Sequence, residues 1–155
     1  MLFRSQEAPL AIARALGATD TLLAPESIVK AVKEVTGGRG ADYVFDTVGS
    51  PATMGDAVAA TRKGGTTVLT GLSRIDADGP VRMFPFVMGE KRLVGSVYGS
   101  GNPLNDIANL VALYQKGRLK LGELATRTYP LEGVNEAFGA LAAGAGGRGI
   151  IRPSS

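Results

Sequence analysis

The 155-residue chain has no cysteine, no histidine and no tryptophan, and aromatic residues make up only 6% of it. Without cysteine there is neither a disulfide nor a thiolate nucleophile. Without histidine there is no imidazole base, so Ser-His chemistry and any thiolate or imidazole metal site are excluded from these residues. A carboxylate-only site for Mg or Ca stays open. A surplus of one charge is also lacking: 17 basic and 14 acidic side chains leave +3. The pI is near 9.4, yet Lys and Arg are scattered singly and form no positive stripe of the kind phosphate backbones require. Nucleic acid is therefore not an expected partner. No apolar run approaches the ~20 residues of a membrane span. The opening Met1-Leu2-Phe3-Arg4-Ser5 has neither the apolar centre nor the cleavage site of a signal peptide. The expectation is a soluble, cytoplasmic chain with no membrane partner.

What is abundant is glycine, 22 residues, about twice the usual share of roughly 7%. With 45% hydrophobic residues, this suits an α/β protein with many tight turns. Ala11 to Ala18 reads as the end of a helix stopped by Gly17, followed by a short strand at Thr19 to Leu23. Ile28, Val29, Val32 and Val35 recur at helical spacing until Thr36-Gly37-Gly38-Arg39-Gly40. Ala41 to Val48 is a mostly apolar strand of the type found in sheets covered on both faces. Ser50-Pro51 then starts a helix with Met54, Ala57, Val58 and Thr61 on one face, ending at Gly64-Gly65. Strands are expected at Thr66 to Leu72 and Leu93 to Tyr98. A helix opened by Asn102-Pro103 carries Ile107, Leu110, Val111 and Tyr114 and stops near Gly117. A last helix carries Leu131, Val134, Phe138 and Leu141, and a terminal strand runs from Arg148 to Arg152.

Strand-helix alternation from Thr19 to Tyr98 predicts right-handed crossovers and a doubly wound parallel sheet, with helices on both faces. Such sheets bind ligands at the carboxyl ends of their strands. Here those ends are Asp46 to Ser50, Thr70 to Leu72 and Ser96 to Tyr98, all small, polar or glycine-containing. They could equally be ordinary strand-to-loop turns. Gly144-Ala145-Gly146-Gly147-Arg148-Gly149 has the G-x-G-x-x-G spelling of a dinucleotide fingerprint. The fingerprint must follow a strand and open a helix, whereas this stretch follows a helix and leads into Ile150-Ile151. It reads as a helix end and a loop. Asp46 could act as a general base, but with no partner in sight it reads as an acceptor for loop amides or a helix N-terminus. Asp76-Ala77-Asp78-Gly79 reads as a turn, since no further metal-ligand spacing accompanies it.

Six segments in register resemble the medium-chain, zinc-type alcohol dehydrogenases. They are Ala13 to Asp20, Thr36 to Gly49, Lys63-Gly64-Gly65, Gly95 to Ser100, Tyr114 to Leu119, and the tail from Tyr129-Pro130-Leu131 through Val134-Asn135-Glu136-Ala137-Phe138 to Arg148-Gly149-Ile150-Ile151. The resemblance covers roughly Leu10 to Pro153. It implies residues 1–98 as a partial NAD(P)-binding Rossmann domain and 99–155 as a C-terminal helical segment that packs on a catalytic domain. In the family's strand order 3-2-1-4-5-6 the first, central strand and its glycine fingerprint have no counterpart here. The resemblance thus implies a C-terminal fragment, inactive alone, whose zinc site belongs to the missing catalytic domain. Met1 to Ser5 reads as sequence foreign to the family.

The same resemblance assigns roles. Thr47, Val48 and Ser50 match positions beside the adenosine and its ribose; Thr70, Gly71, Leu72, Ser96 and Tyr98 match the wall along the nicotinamide; Arg148 matches an arginine on the pyrophosphate. The cofactor is NAD or NADP, and the substrate an alcohol or aldehyde. The segment with Met83, Phe84, Phe86, Val87 and Met88, together with the strand at Leu93 to Tyr98, is implied to lie at the subunit edge of a homodimer or higher oligomer. Two alternatives remain: a zinc-free quinone oxidoreductase fragment, distinguished by its upstream domain, and a non-catalytic nucleotide-binding module.

Overall fold

The computed structural model describes residues 2–4, 7–23, 26–144 and 147–153, with backbone only for 2–4. It is an α/β structure of parallel sheets with helices packed on them, divided into two compact units. One unit spans 25–103, and the other combines 1–24 with 104–155.

In the first unit, α2 (Ile28–Val35) leads to β3 (Ala41–Asp46), α3 (Pro51–Ala60), β4 (Thr61–Leu69), α4 (Met83–Met88) and β5 (Arg92–Gly95). The three strands form one parallel sheet in the order β3-β4-β5. The Ser27 hydroxyl caps α2 by accepting from the Lys30 amide, and Val32 is its buried contact. At its end the Thr36 hydroxyl donates to the Val32 carbonyl, while Gly37, Gly38 and Gly40 supply the positive φ that turns the chain into β3. Ser50 and Thr53 form a capping box on α3, with Pro51 in the first turn. Beyond the last turn of α3, the Lys91 ammonium donates to the Val58 carbonyl at 2.6 Å, a cation placed where a helix end is negative.

The α3 helix is shorter than the glycine pair suggests. It ends at Ala60, and Thr61 already pairs with Ala41 as the first residue of β4. The reason is side-chain hydrogen bonding: the Thr61 hydroxyl donates back to the Ala57 carbonyl at 2.8 Å and lies 2.7 Å from the Thr67 hydroxyl, all of it buried. Gly64-Gly65 therefore belongs to an irregularity inside β4, not to a helix stop. The β3 and β4 strands also end earlier than expected, at Asp46 and Leu69, because the Thr70 and Gly71 amides turn in to the Asp46 carbonyl. The β5 strand stops at Gly95, so Tyr98 is not in a strand; Tyr98, Gly99 and Ser100 form a tight turn. The α4 helix is one the sequence reading did not anticipate.

In the second unit, β1 (Leu2–Arg4) pairs in parallel with β2 (Thr21–Leu23), and α1 (Glu7–Ala15) connects them. Gly17, at φ 102°, ends α1 as expected. The α5 helix (Pro103–Gln115) starts at its proline and is closed by Gly117. The C-terminal segment is not purely helical. A strand absent from the sequence reading, β6 (Ala125–Pro130), pairs in parallel with β7 (Arg148–Arg152), and α6 (Val134–Ala142) crosses between them. Tyr129 is buried there.

Two outcomes test this packing. Thr61→Val leaves the Thr67 hydroxyl a buried donor without its acceptor and is expected to cost about 1–3 kcal/mol by denaturant titration, more than Thr67→Val, which leaves the Thr61–Ala57 bond intact. Asp42 is held below its usual 3.8 chiefly by the Arg62 N–H, with the Arg39 charge adding to it. Because the folded value is depressed, its stabilisation is complete above the unfolded value and disappears as pH falls through the folded one. In Arg62→Gln, the Asp42 midpoint followed by NMR should rise toward 3.8.

Candidate functional site

The register Asp46↔Leu69↔Gly95 brings the C-terminal ends of β3, β4 and β5 side by side, and the loops leaving them start from one line. At the head of the first loop, Asp46 is buried, with 5% of the residue exposed. Its Oδ1 accepts from the Val48 amide at 2.9 Å and the Gly49 amide at 3.2 Å, and its Oδ2 accepts from the Thr53 hydroxyl of α3 at 2.9 Å. Its backbone carbonyl accepts from the Thr70 and Gly71 amides at 2.9 and 3.0 Å, and from the Thr70 hydroxyl at 3.1 Å. The residue is thus an acceptor for loop amides and a helix start, with no geometry for a general base.

Gly49 and Gly71 touch through their backbones. A Cβ on Gly49, which sits at φ 77°, would lie 2.5 Å from the Gly71 carbonyl carbon, and a Cβ on Gly71 would run into Gly49 N and lie 2.5 Å from the Val48 carbonyl carbon. Only glycine at both positions permits this approach. The third loop is joined to the second by the Ser96 amide, which donates to the Leu69 carbonyl at 2.9 Å. Beyond it Tyr98 and Ser100 hold φ of 48° and 57°, left-handed values for non-glycine residues that cost on the order of 1–3 kcal/mol each and recur at functional sites.

Of the expected site residues, the structure places Thr47, Val48, Ser50, Thr70, Gly71, Leu72, Ser96 and Tyr98 on these three loops in the 25–103 unit. Val48, Leu72 and Tyr98 are exposed, at 60%, 88% and 85%. Ser50 is committed to the α3 cap. Arg148 lies in the other unit, exposed at the start of β7. Ala145 and Gly146 of the G-x-G-x-x-G stretch lie outside the described residues; Gly144 follows the end of α6 and Gly147 precedes β7, the context of a loop. Asp76 is held by Arg74, whose Nε and Nη2 donate at 3.0 and 2.9 Å, and this pairing lowers the Asp76 pKa. What sequence reasoning missed is the backbone role of Asp46 across two loops. The hint was the Asp-Thr-Val-Gly-Ser turn facing a second glycine, Gly71, one strand away.

Parallel strands ending level in glycine-bearing loops define a Rossmann-type architecture. The chain belongs to the zinc-binding dehydrogenase family, whose model matches residues 1–116. That span includes the opening residues expected to be foreign, and β1 forms there. The chain is 38% identical over 148 residues to an NDMA-dependent alcohol dehydrogenase of Amycolatopsis methanolica, covering 90% of this chain and 38% of that protein. It is 41% identical over 143 residues to a putative alcohol dehydrogenase D of Mycobacterium tuberculosis, covering 87% and 38%. Benzyl alcohol dehydrogenase from Acinetobacter calcoaceticus superposes with a TM-score of 0.90 at 27% identity, over 99% of this chain and 42% of that one. The chain thus spans about 38% of the length of these curated relatives.

Zinc does not fit the residues present. The sequence has no Cys or His, and among the described residues no three Asp or Glu gather to hold a metal. The described residues also contain no helix long and apolar enough to cross a membrane. Gly49→Ala should destabilise the protein by about 1–2 kcal/mol from its left-handed backbone alone, and by more from the contact with Gly71, as read from the denaturation midpoint.

Proposed function

We propose that this chain is the cofactor-binding part of an NAD(P)-dependent alcohol dehydrogenase, in which a hydride passes between an alcohol carbon and the nicotinamide. The observation that carries the reading is the row of three glycine-bearing loops at the carboxyl ends of β3, β4 and β5, where open α/β sheets bind ligands. Thr47, Val48 and Ser50 face the adenosine half; Thr70, Gly71, Leu72, Ser96 and Tyr98 line the nicotinamide half; Arg148 pairs with the pyrophosphate. The nicotinamide carries the redox chemistry when bound. This chain's residues bind and orient it, through backbone groups and short side chains.

Polarisation of the alcohol oxygen has no candidate among these residues, so the chain alone turns over no alcohol and acts as a fragment of a longer cytoplasmic enzyme. The exposed apolar residues of α5, among them Leu104 at 83% and Ile107 at 58%, support the reading that residues 99–155 pack on a further domain. The α4 helix exposes Met83, Phe84, Val87 and Met88, and β5 is an edge strand of its sheet; both suit a contact with a second copy.

The test is an NMR titration of the chain with ADP-ribose, then NADH. Binding at a Kd of about 1 mM or tighter, with shifts at Thr47, Val48 and Ser50 for ADP-ribose and added shifts at Thr70, Leu72 and Ser96 for NADH, supports the reading. Shifts confined to the opposite end of the strands, near Arg62 and Lys91, overturn it.

A further inference from the structure

The Asp46 hydrogen bonds cross a boundary that the site's two halves would otherwise keep. The side chain fixes the loop after β3, through Val48 and Gly49; the carbonyl of the same residue fixes the loop after β4, through Thr70 and Gly71. Between them, the Gly49 and Gly71 backbones are in contact. Thr53, three residues past the α3 cap, anchors the other carboxylate oxygen. Among the described residues no Lys or Arg forms an ion pair with Asp46. Its surroundings are N–H and O–H donors, so its burial depends on those donors staying where they are.

We propose that Asp46 is a positioning residue that makes the two loops one clamp, so that a carboxylate on β3 sets the geometry of the wall formed by Thr70, Gly71 and Leu72 on β4. The path has two arms. Oδ1 holds Gly49 in its left-handed conformation, and Gly49 is the surface on which Gly71 rests. The carbonyl holds the Gly71 amide from the other side. Release of the first arm leaves Gly71 hung from a single point. The loops therefore loosen together, and a change on either loop is felt on the other. For binding, this extends the cofactor reading given above: contacts to one half of a ligand depend on the order of the loop that touches the other half.

The experiment is amide hydrogen exchange by NMR on the full chain without nucleotide, so it does not depend on that reading. Asp46→Ala should accelerate exchange at Val48 and Gly49, and also at Thr70 and Gly71, by about tenfold or more, while Thr67 and Val68 in the central strand keep their protection. Asp46→Asn retains an oxygen for the Val48 and Gly49 amides and should restore most of the protection in both loops. Acceleration confined to Val48 and Gly49 overturns the proposal, and so does a uniform acceleration that includes Thr67 and Val68. If Asp46→Ala does not fold, Gly71→Ala gives the reverse reading: its methyl group drives against Gly49, and Val48 and Gly49 must then exchange faster; unchanged rates there sink the clamp. A parallel titration with ADP-ribose separates the two ideas. Coupled exchange in a chain that binds no ADP-ribose supports the clamp and counts against the cofactor reading; binding with uncoupled exchange does the opposite.

Discussion

A carboxylate buried beside two loop amides and a threonine hydroxyl, on a residue whose own carbonyl holds the next loop, is the constraint on which the strand-end surface depends. A buried carboxylate is costly unless donors converge on it. Convergence here requires β3 to stop at Asp46, the chain to turn through left-handed Gly49, and α3 to begin so that Thr53 faces back. Each requirement is met by a local sequence choice: a glycine at the turn, a serine cap, a proline in the first turn and a threonine at the third helical position. The positions of Thr47, Val48 and Ser50 follow from those choices.

The remainder of the molecule is less self-sufficient. Among the described residues the buried apolar set is small, including Leu10, Val32, Ala57, Val58 and Ala60, while Tyr43 and Phe45 on β3 are 66% and 64% exposed. Apolar area left in water forgoes about 25 cal/mol per Å² of stabilisation. On β3 the exposed pair lies on alternate residues, hence on one face of the strand, opposite in pleat to buried Asp46.

Much of this was legible in the sequence because it is written in local chemistry. Ser50-Pro51 and Pro103 mark helix starts, and Gly17, Gly40 and Gly117 mark ends, through constraints that act within a turn or two of chain. The three loops at the strand ends followed from strand-helix alternation, although the strands themselves stop earlier, at Asp46, Leu69 and Gly95. What was not legible depends on partners distant in sequence or on competition between two local preferences. Thr61 sits on the apolar face of a helix pattern, yet it joins a strand because Thr67 offers a buried hydroxyl. Ala125 to Pro130 lacks an apolar run, and its strand exists because Arg148 to Arg152 pairs with it. The double role of Asp46 needed Gly71 beside Gly49, a proximity that only the parallel register creates.

That register has an unusual history along its length. Ala41 faces Thr61, but two residues later Tyr43 faces Thr66, so β4 spends five residues where β3 spends two. The surplus is gathered at Arg62 to Gly65, with Gly64 at φ 68° and its amide donating to the Gly89 carbonyl. From Tyr43 onward the strands run in step to Asp46 and Leu69. The slack in the sheet is thus confined to the end away from the loops. Insertions or deletions in the Arg62–Gly65 segment can be absorbed there, as by an expansion joint, while the strand tips keep their alignment.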